Sequence, residues 1–207
     1  MYHVVLSFIT VLILSFSTSA KSEPFEESEL QGYGAFSNLN KDWMLMALYT
    51  DKTEDAVQTN SPQRLEIKIA TESFSQRRFR SLWLEALAIE HGGDKIIAMQ
   101  EELTQFFDII QKPLKSGDTL IIERTELGSE VRINYHTLAN LSADFLPMVV
   151  QSLVGKHPPT QALKTGLSGE DSLRAQTNLG IRFDRLEPTL PRIAEVSRWG
   201  KRILANN

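Results

Sequence analysis

The sequence predicts an α+β fold in which an antiparallel sheet carries helices packed over one face. Three observations carry that expectation. Trp43 to Tyr49 is an uncharged run without strong side-chain alternation, so a strand there has to be buried on both faces. Leu65-Glu66-Ile67-Lys68-Ile69 and the run through Val131, Ile133 and Tyr135 carry apolar residues at every second position instead, the mark of strands with one face in a core. The third observation is order: strands, then helices, then a hairpin and a helix, which suits a sheet with a separate helical layer and not alternating βαβ units.

With 207 residues the chain can bury one core of ordinary size. A net charge of -4 and a pI near 5.6 argue against a general nucleic-acid binder, which usually shows a basic face. Without a single cysteine there is no disulfide, no thiolate metal site and no lipid-modified cysteine. Residues 1–20 read as a signal peptide: Val4 to Phe16 is apolar, and Thr18 and Ala20 put small residues before a cut that leaves Lys21 first. Only the terminal amine and His3 supply positive charge ahead of it, so an uncleaved anchor is the alternative. Residues 21–29, rich in Glu, form a flexible lead-in.

From Leu30 the elements follow in order. Gly32 and Gly34 lead into the apolar run, which is expected to be the central strand, and Asp51 to Asn60 is a polar connection. After the alternating strand, Ser73 and Gln76 have capping-box spacing for a helix to about Glu90, stopped by Gly92-Gly93. Asp94 can cap a second helix to about Gln111, with Ile96, Met99, Leu103, Phe106 and Ile110 in one stripe on the sheet. Ser116-Gly117-Asp118 opens a hairpin whose return strand places Val131, Ile133 and Tyr135 on one face. Ser142 or Asp144 caps a third helix, with Pro147 in its first turn in the latter case and Gly155 at its end. Residues 170–207 form a C-terminal extension, partly helical, in which Pro191 opens a helix carrying Ile193, Val196, Trp199 and Ile203. Six basic residues against three acidic ones between Arg182 and Arg202 suit either a docked helix with its charges in water or peripheral contact with an anionic membrane.

The marks Gly32, Gly34 and Leu48-Tyr49, then Pro62-Gln63-Arg64-Leu65, Phe106-Phe107, Leu114 to Leu120 and Leu163 to Gly169 make the chain resemble the bacterial chalcone isomerase-like family over residues 30–169. The resemblance implies an open-faced β-sandwich with a cleft between sheet and helices. It also implies a ligand, since relatives in that fold family include fatty-acid binders. The isomerases proper bring an Arg and a Thr to that cleft, where ring closure needs donors aimed at a developing oxyanion. Here Phe36 stands at the Arg position and Met44 at the Thr position. No catalytic residue carries over, and the expectation leans against an enzyme.

Other chemistry finds no support. His91, His136 and His157 lack metal-ligand spacing, no Ser sits in a Gly-x-Ser-x-Gly setting, and no phosphate-cradling loop appears, so neither a metal nor a cofactor is expected. Gln76-Arg77-Arg78-Phe79-Arg80 is the densest basic cluster of the domain. A solvated helix face is its ordinary meaning, but Arg77 or Arg78 can also hold a carboxylate. The expected function is a periplasmic, non-catalytic protein binding a fatty acid or another apolar small molecule through Phe36, Met44, Arg77 and Arg78. The alternatives are an isomerase or lyase on a small aromatic substrate, and a structural or partner-binding envelope protein whose cleft is filled by its own side chains.

Overall fold

A computed structural model describes residues 28–51 and 61–206, with side chains as far as residue 200. The segment read as a signal peptide and nearly all of the lead-in lie outside the described residues, as does most of the connection after the apolar strand. The core of the fold is a six-stranded antiparallel sheet of β1 (Glu29–Asn38), β2 (Lys41–Thr50), β3 (Pro62–Ile69), β6 (Thr119–Thr125), β7 (Gly128–Ile133) and β8 (His136–Leu141), in that spatial order. Between β3 and β6 the chain forms a helical layer, bracketed by the two-residue strands β4 (Ser73–Phe74) and β5 (Leu114–Lys115), which pair with each other.

The apolar run forms β2, second from the edge and not at the centre. Its two-sided burial has a different cause from central position. Met44, Met46 and Leu48 enter the main core under the helices, whereas Leu45 and Ala47 meet Phe183 from the C-terminal extension on the opposite face. In β3 the alternation holds: Leu65, Ile67 and Ile69 face the core. Lys68 points the other way, 2.8 Å from Glu187 and 4.6 Å from the centre of the Phe183 ring.

The helix α1 (Gln76–His91) starts later than the capping-box spacing suggested. Ser75, not Ser73, is its cap, accepting from the Arg78 backbone N–H, because Ser73 is held in β4. The Gln76 amide, freed from any capping role, donates to the Ile110 carbonyl. Gly92, at a φ of 78°, ends the helix as expected. The next helix divides in two, α2 (Gly93–Ala98) and α3 (Gln100–Asp108), with Met99 at φ -105° and ψ 16° between them. Asp94 lies in the first turn of α2, where Gly92 occupies the cap position. The break lets Met99, Leu103 and Phe106 face inward while Ile97 stays in solvent.

Tyr135 is not in a strand. Asn134 and Tyr135 have φ of 46° and 72°, the two-residue turn that joins β7 to a strand the sequence did not suggest, β8. Asn134 is locked there by its own side chain, which accepts from the Thr119 N–H at 2.9 Å and donates to Asp118 at 2.7 Å. The third helix, α4 (Phe145–Val154), begins after Asp144 and has Pro147 in its first turn. Phe145 joins Phe79, Trp83, Phe106 and Phe107 in an aromatic cluster with ring centres 5.1–6.4 Å apart, which fills the space between helices and sheet.

Three further helices complete the chain: α5 (Gln161–Leu167), α6 (Leu173–Asp184) and α7 (Leu190–Asn206). The first crosses β1 so closely that a Cβ at Gly32 would run into the Gly166 carbonyl, and one at Gly34 would meet Leu163 at 2.9 Å. Beside it, the Gln176 side chain accepts from the Tyr33 N–H at 2.7 Å and donates to the Tyr33 carbonyl at 3.1 Å. In α7, Arg192 is buried against Asp118, Glu195 and the Pro113 carbonyl, with the Trp199 ring 5.0 Å away. Part of the positive charge of this extension is therefore spent within the fold: Arg192 on Asp118, Arg182 on Asp42.

Candidate functional site

Helix α1 turns two stripes to its surroundings. Phe79, Trp83 and Leu87 are buried in the core. Arg78, Ser81, Leu82, Glu85, Ala86 and Ile89, spaced i, i+3, i+4, i+7, i+8, i+11, line an open groove of about 630 Å³. That volume lies inside the ~300–1,000 Å³ span of small-molecule sites. From Arg78 to Ile89 the stripe runs roughly 16 Å at the helical rise.

The two ends of the groove differ. At the head of α1, Phe36 and Asn38 of β1 and Trp43 of β2 form the facing wall. Phe36 packs edge-on against Trp43, ring centres 5.9 Å apart, and the Arg78 guanidinium lies 4.8 Å from the centre of the Trp43 ring. Arg78 makes no ion pair among the described residues. A flat cation resting on an aromatic face at the start of a helix, where the backbone dipole also favours negative charge, is a ready partner for a carboxylate or phosphate.

At the far end the wall is His157-Pro158-Pro159, between α4 and α5. Glu90, at the last turn of α1, holds it. Its carboxylate accepts from the backbone N–H of Lys156 at 3.0 Å and of His157 at 2.7 Å, and from the Gln151 amide at 3.2 Å. Burial pushes the Glu90 carboxyl up, but these three donors outweigh it and hold it at about 2. Gly155 is required beneath, because a Cβ there would strike the Glu90 carboxylate. Between the ends, Leu82 and Ala86 give an apolar floor, and Ser81 and Glu85 an exposed polar rim.

Of the four residues singled out from the sequence, the groove brings together Phe36 and Arg78. Met44 pairs with Phe36 across β1 and β2 but is fully buried and does not line the groove. Arg77 is exposed at the head of α1 and turned away from it. The position expected for Met44 is taken by Trp43, hidden in the sequence inside a run that reads only as core. A second groove of about 660 Å³ lies at the other end of β2, between Leu48, Thr50 and Pro62 and the α4 residues Val150 and Val154. Among the described residues no three His, Asp or Glu gather as a metal site, and no helix is long and apolar enough to cross a membrane.

No curated protein matches the chain. A solved structure does: the crystal structure of a fatty-acid binding protein from Arabidopsis thaliana, at 15% identity and a TM-score of 0.54, covers 70% of this chain and 89% of its own. The sequence of residues 18–169 matches the family model described as chalcone isomerase-like, which takes in β1 through α5 with both walls of the groove. The chain belongs to the chalcone isomerase-like family.

Proposed function

We propose that the protein is a non-catalytic binder of an apolar small molecule with an anionic end, a fatty acid being the first candidate, held in the groove along α1. The observation that carries this is Arg78: an unpaired guanidinium on the Trp43 ring at one end of a groove floored by Leu82 and Ala86. A carboxylate at Arg78 leaves the acyl chain to run toward Ile89. The fatty-acid binding activity named for the Arabidopsis structure supports this reading. So does the composition of the wall, where Phe36 offers no side-chain hydrogen bond to an oxyanion.

Titration with a fluorescent fatty acid tests it. Saturable binding is expected, weakened roughly 10- to 100-fold by Arg78→Ala, in line with ~1.5–3 kcal/mol for a hydrogen bond to a charged group. Ser81→Trp, at an exposed position on the groove rim, is expected to obstruct binding without disturbing the core. Absence of binding to delipidated protein refutes the proposal. It favours the second reading, a partner-binding protein with a filled cleft, for which the complete burial of Met44 and the aromatic packing around Phe106 speak. The periplasm is the proposed location, resting on residues 1–20 of the sequence, and N-terminal sequencing of the exported protein should begin at Lys21.

A further inference from the structure

The tip of the β1–β2 hairpin carries a contradiction. Leu39 and Asn40 have φ of 51° and 60°, a turn that suits Asn and Gly and penalises a side chain such as Leu. Leu39 is also 91% exposed, so no packing offsets that penalty. A large apolar residue that is locally disfavoured and touches little of its own fold is placed to touch something else. Next to it Asn38 lines the Arg78 end of the groove, so the tip and the head of α1 flank one opening.

The head of α1 supplies the second observation. Arg77, Arg78 and Arg80 lie within its first turns, all exposed, and Lys41 is exposed beside the hairpin tip. None of the four makes an ion pair among the described residues. The neighbouring carboxylate on the strand side, Asp42, is already taken by Arg182 and Ser37. Among the described residues, Glu85, further along the groove, is the one carboxylate lining it. In a chain of net charge -4 these are cations without a carboxylate partner: Lys41 and Arg78 flank the exposed apolar tip, and Arg77 and Arg80 lie further round the head of α1, Arg80 over the Phe107 ring. That combination matches the interface of an anionic bilayer, with headgroup phosphates for the arginines and the acyl boundary for the leucine.

We propose that the Leu39 tip and the arginine-rich head of α1 dock the protein onto an anionic lipid surface, with the Arg78 end of the groove facing the bilayer. The basic residues of this surface belong to β2 and α1, whereas the charge pattern of the sequence pointed to membrane contact through the C-terminal segment. This surface stands on its own exposure and charge, so a groove that fails to bind a fatty acid leaves it intact.

Co-sedimentation of the chain beginning at Lys21 with phosphatidylglycerol–phosphatidylcholine vesicles and with pure phosphatidylcholine vesicles tests it. That chain retains every described residue and lacks the apolar stretch that would partition by itself. Binding is expected to the anionic vesicles only and to weaken as salt rises. Lys41→Gln with Arg77→Gln should lower partitioning roughly thirtyfold, from about 1 kcal/mol per basic residue near such a surface. Leu39→Asn should lower it about tenfold while leaving the melting temperature unchanged or higher, since Asn accepts the turn geometry better. A merely structural role for Leu39 would not separate the two readouts. The proposal is overturned if the protein ignores anionic vesicles, if the variants bind as the parent does, or if Arg198→Gln on α7 removes binding instead.

Discussion

Replacing Glu90 by Gln removes the charge that ties α1 to the loop after α4 while keeping the size of the side chain. Holding that carboxyl at about 2 against an ordinary 4.5 corresponds to about 3 kcal/mol of stability at neutral pH, and about 2 kcal/mol once solvent screening near the exposed His157 is allowed for. The folded-state value lies below the unfolded one, so the contribution is complete above about pH 4.5 and is lost as pH falls toward 2. Gln keeps one acceptor oxygen but turns an NH₂ toward one of the two backbone N–H groups of Lys156 and His157. Thermal melts of parent and Glu90→Gln should therefore differ by about 4–8 °C at neutral pH. The gap should shrink to less than half by about pH 3. A gap that stays constant across this range would show that the ionised carboxylate is not what holds the loop. Ligand binding should weaken along with stability, because the same contacts position the His157-Pro159 wall.

Three more outcomes are expected. Arg192→Ala leaves Asp118 buried without its cation, which should cost about 3–5 kcal/mol and lower the urea midpoint at unchanged slope. Gly32→Ala drives a Cβ into the Gly166 carbonyl and should destabilise by roughly 2–4 kcal/mol, seen as a lower melting temperature, whereas Gly93→Ala, with open space around it, should change little. Purified protein should not cyclise a chalcone above background, since Phe36 and Met44 offer no donor to an oxyanion; turnover that disappears on mutating Ser81 or Glu85 would revive the enzyme alternative.

The elements that repeat a simple period were legible in the sequence: β3 from its alternation, α1 from its apolar side, α4 from Asp144 and Pro147. What escaped was set by long-range partners. Ser73 has a capping pattern but is claimed by pairing with Lys115, some forty residues on. Tyr135 continues an alternating run, yet Asp118 and Thr119 hold Asn134 in a turn and send the chain into β8. The site followed the same division. Arg78 and Phe36, which line the groove, were marked in the sequence by a cluster and a motif. Trp43 was missed because a wall residue and a core residue look alike inside an uncharged run, and the Glu90 latch joins residues more than sixty positions apart.

The Gln176 side chain has a consequence for biosynthesis. β1 is the edge of the sheet, and the outward N–H and C=O of Tyr33 are where a strand from another molecule would add. Gln176 imitates such a strand with one amide, and α5 lies across the neighbouring glycines. Both arrive more than 120 residues after β1 leaves the ribosome. Until then the edge is open, and a chain ending at Gly169 keeps the family segment but loses the amide cap together with the cover that Phe183 gives Leu45 and Ala47. Such a truncated chain is expected to self-associate through β1, which makes the extension beyond the family segment a guard against the wrong partner as much as a part of the fold.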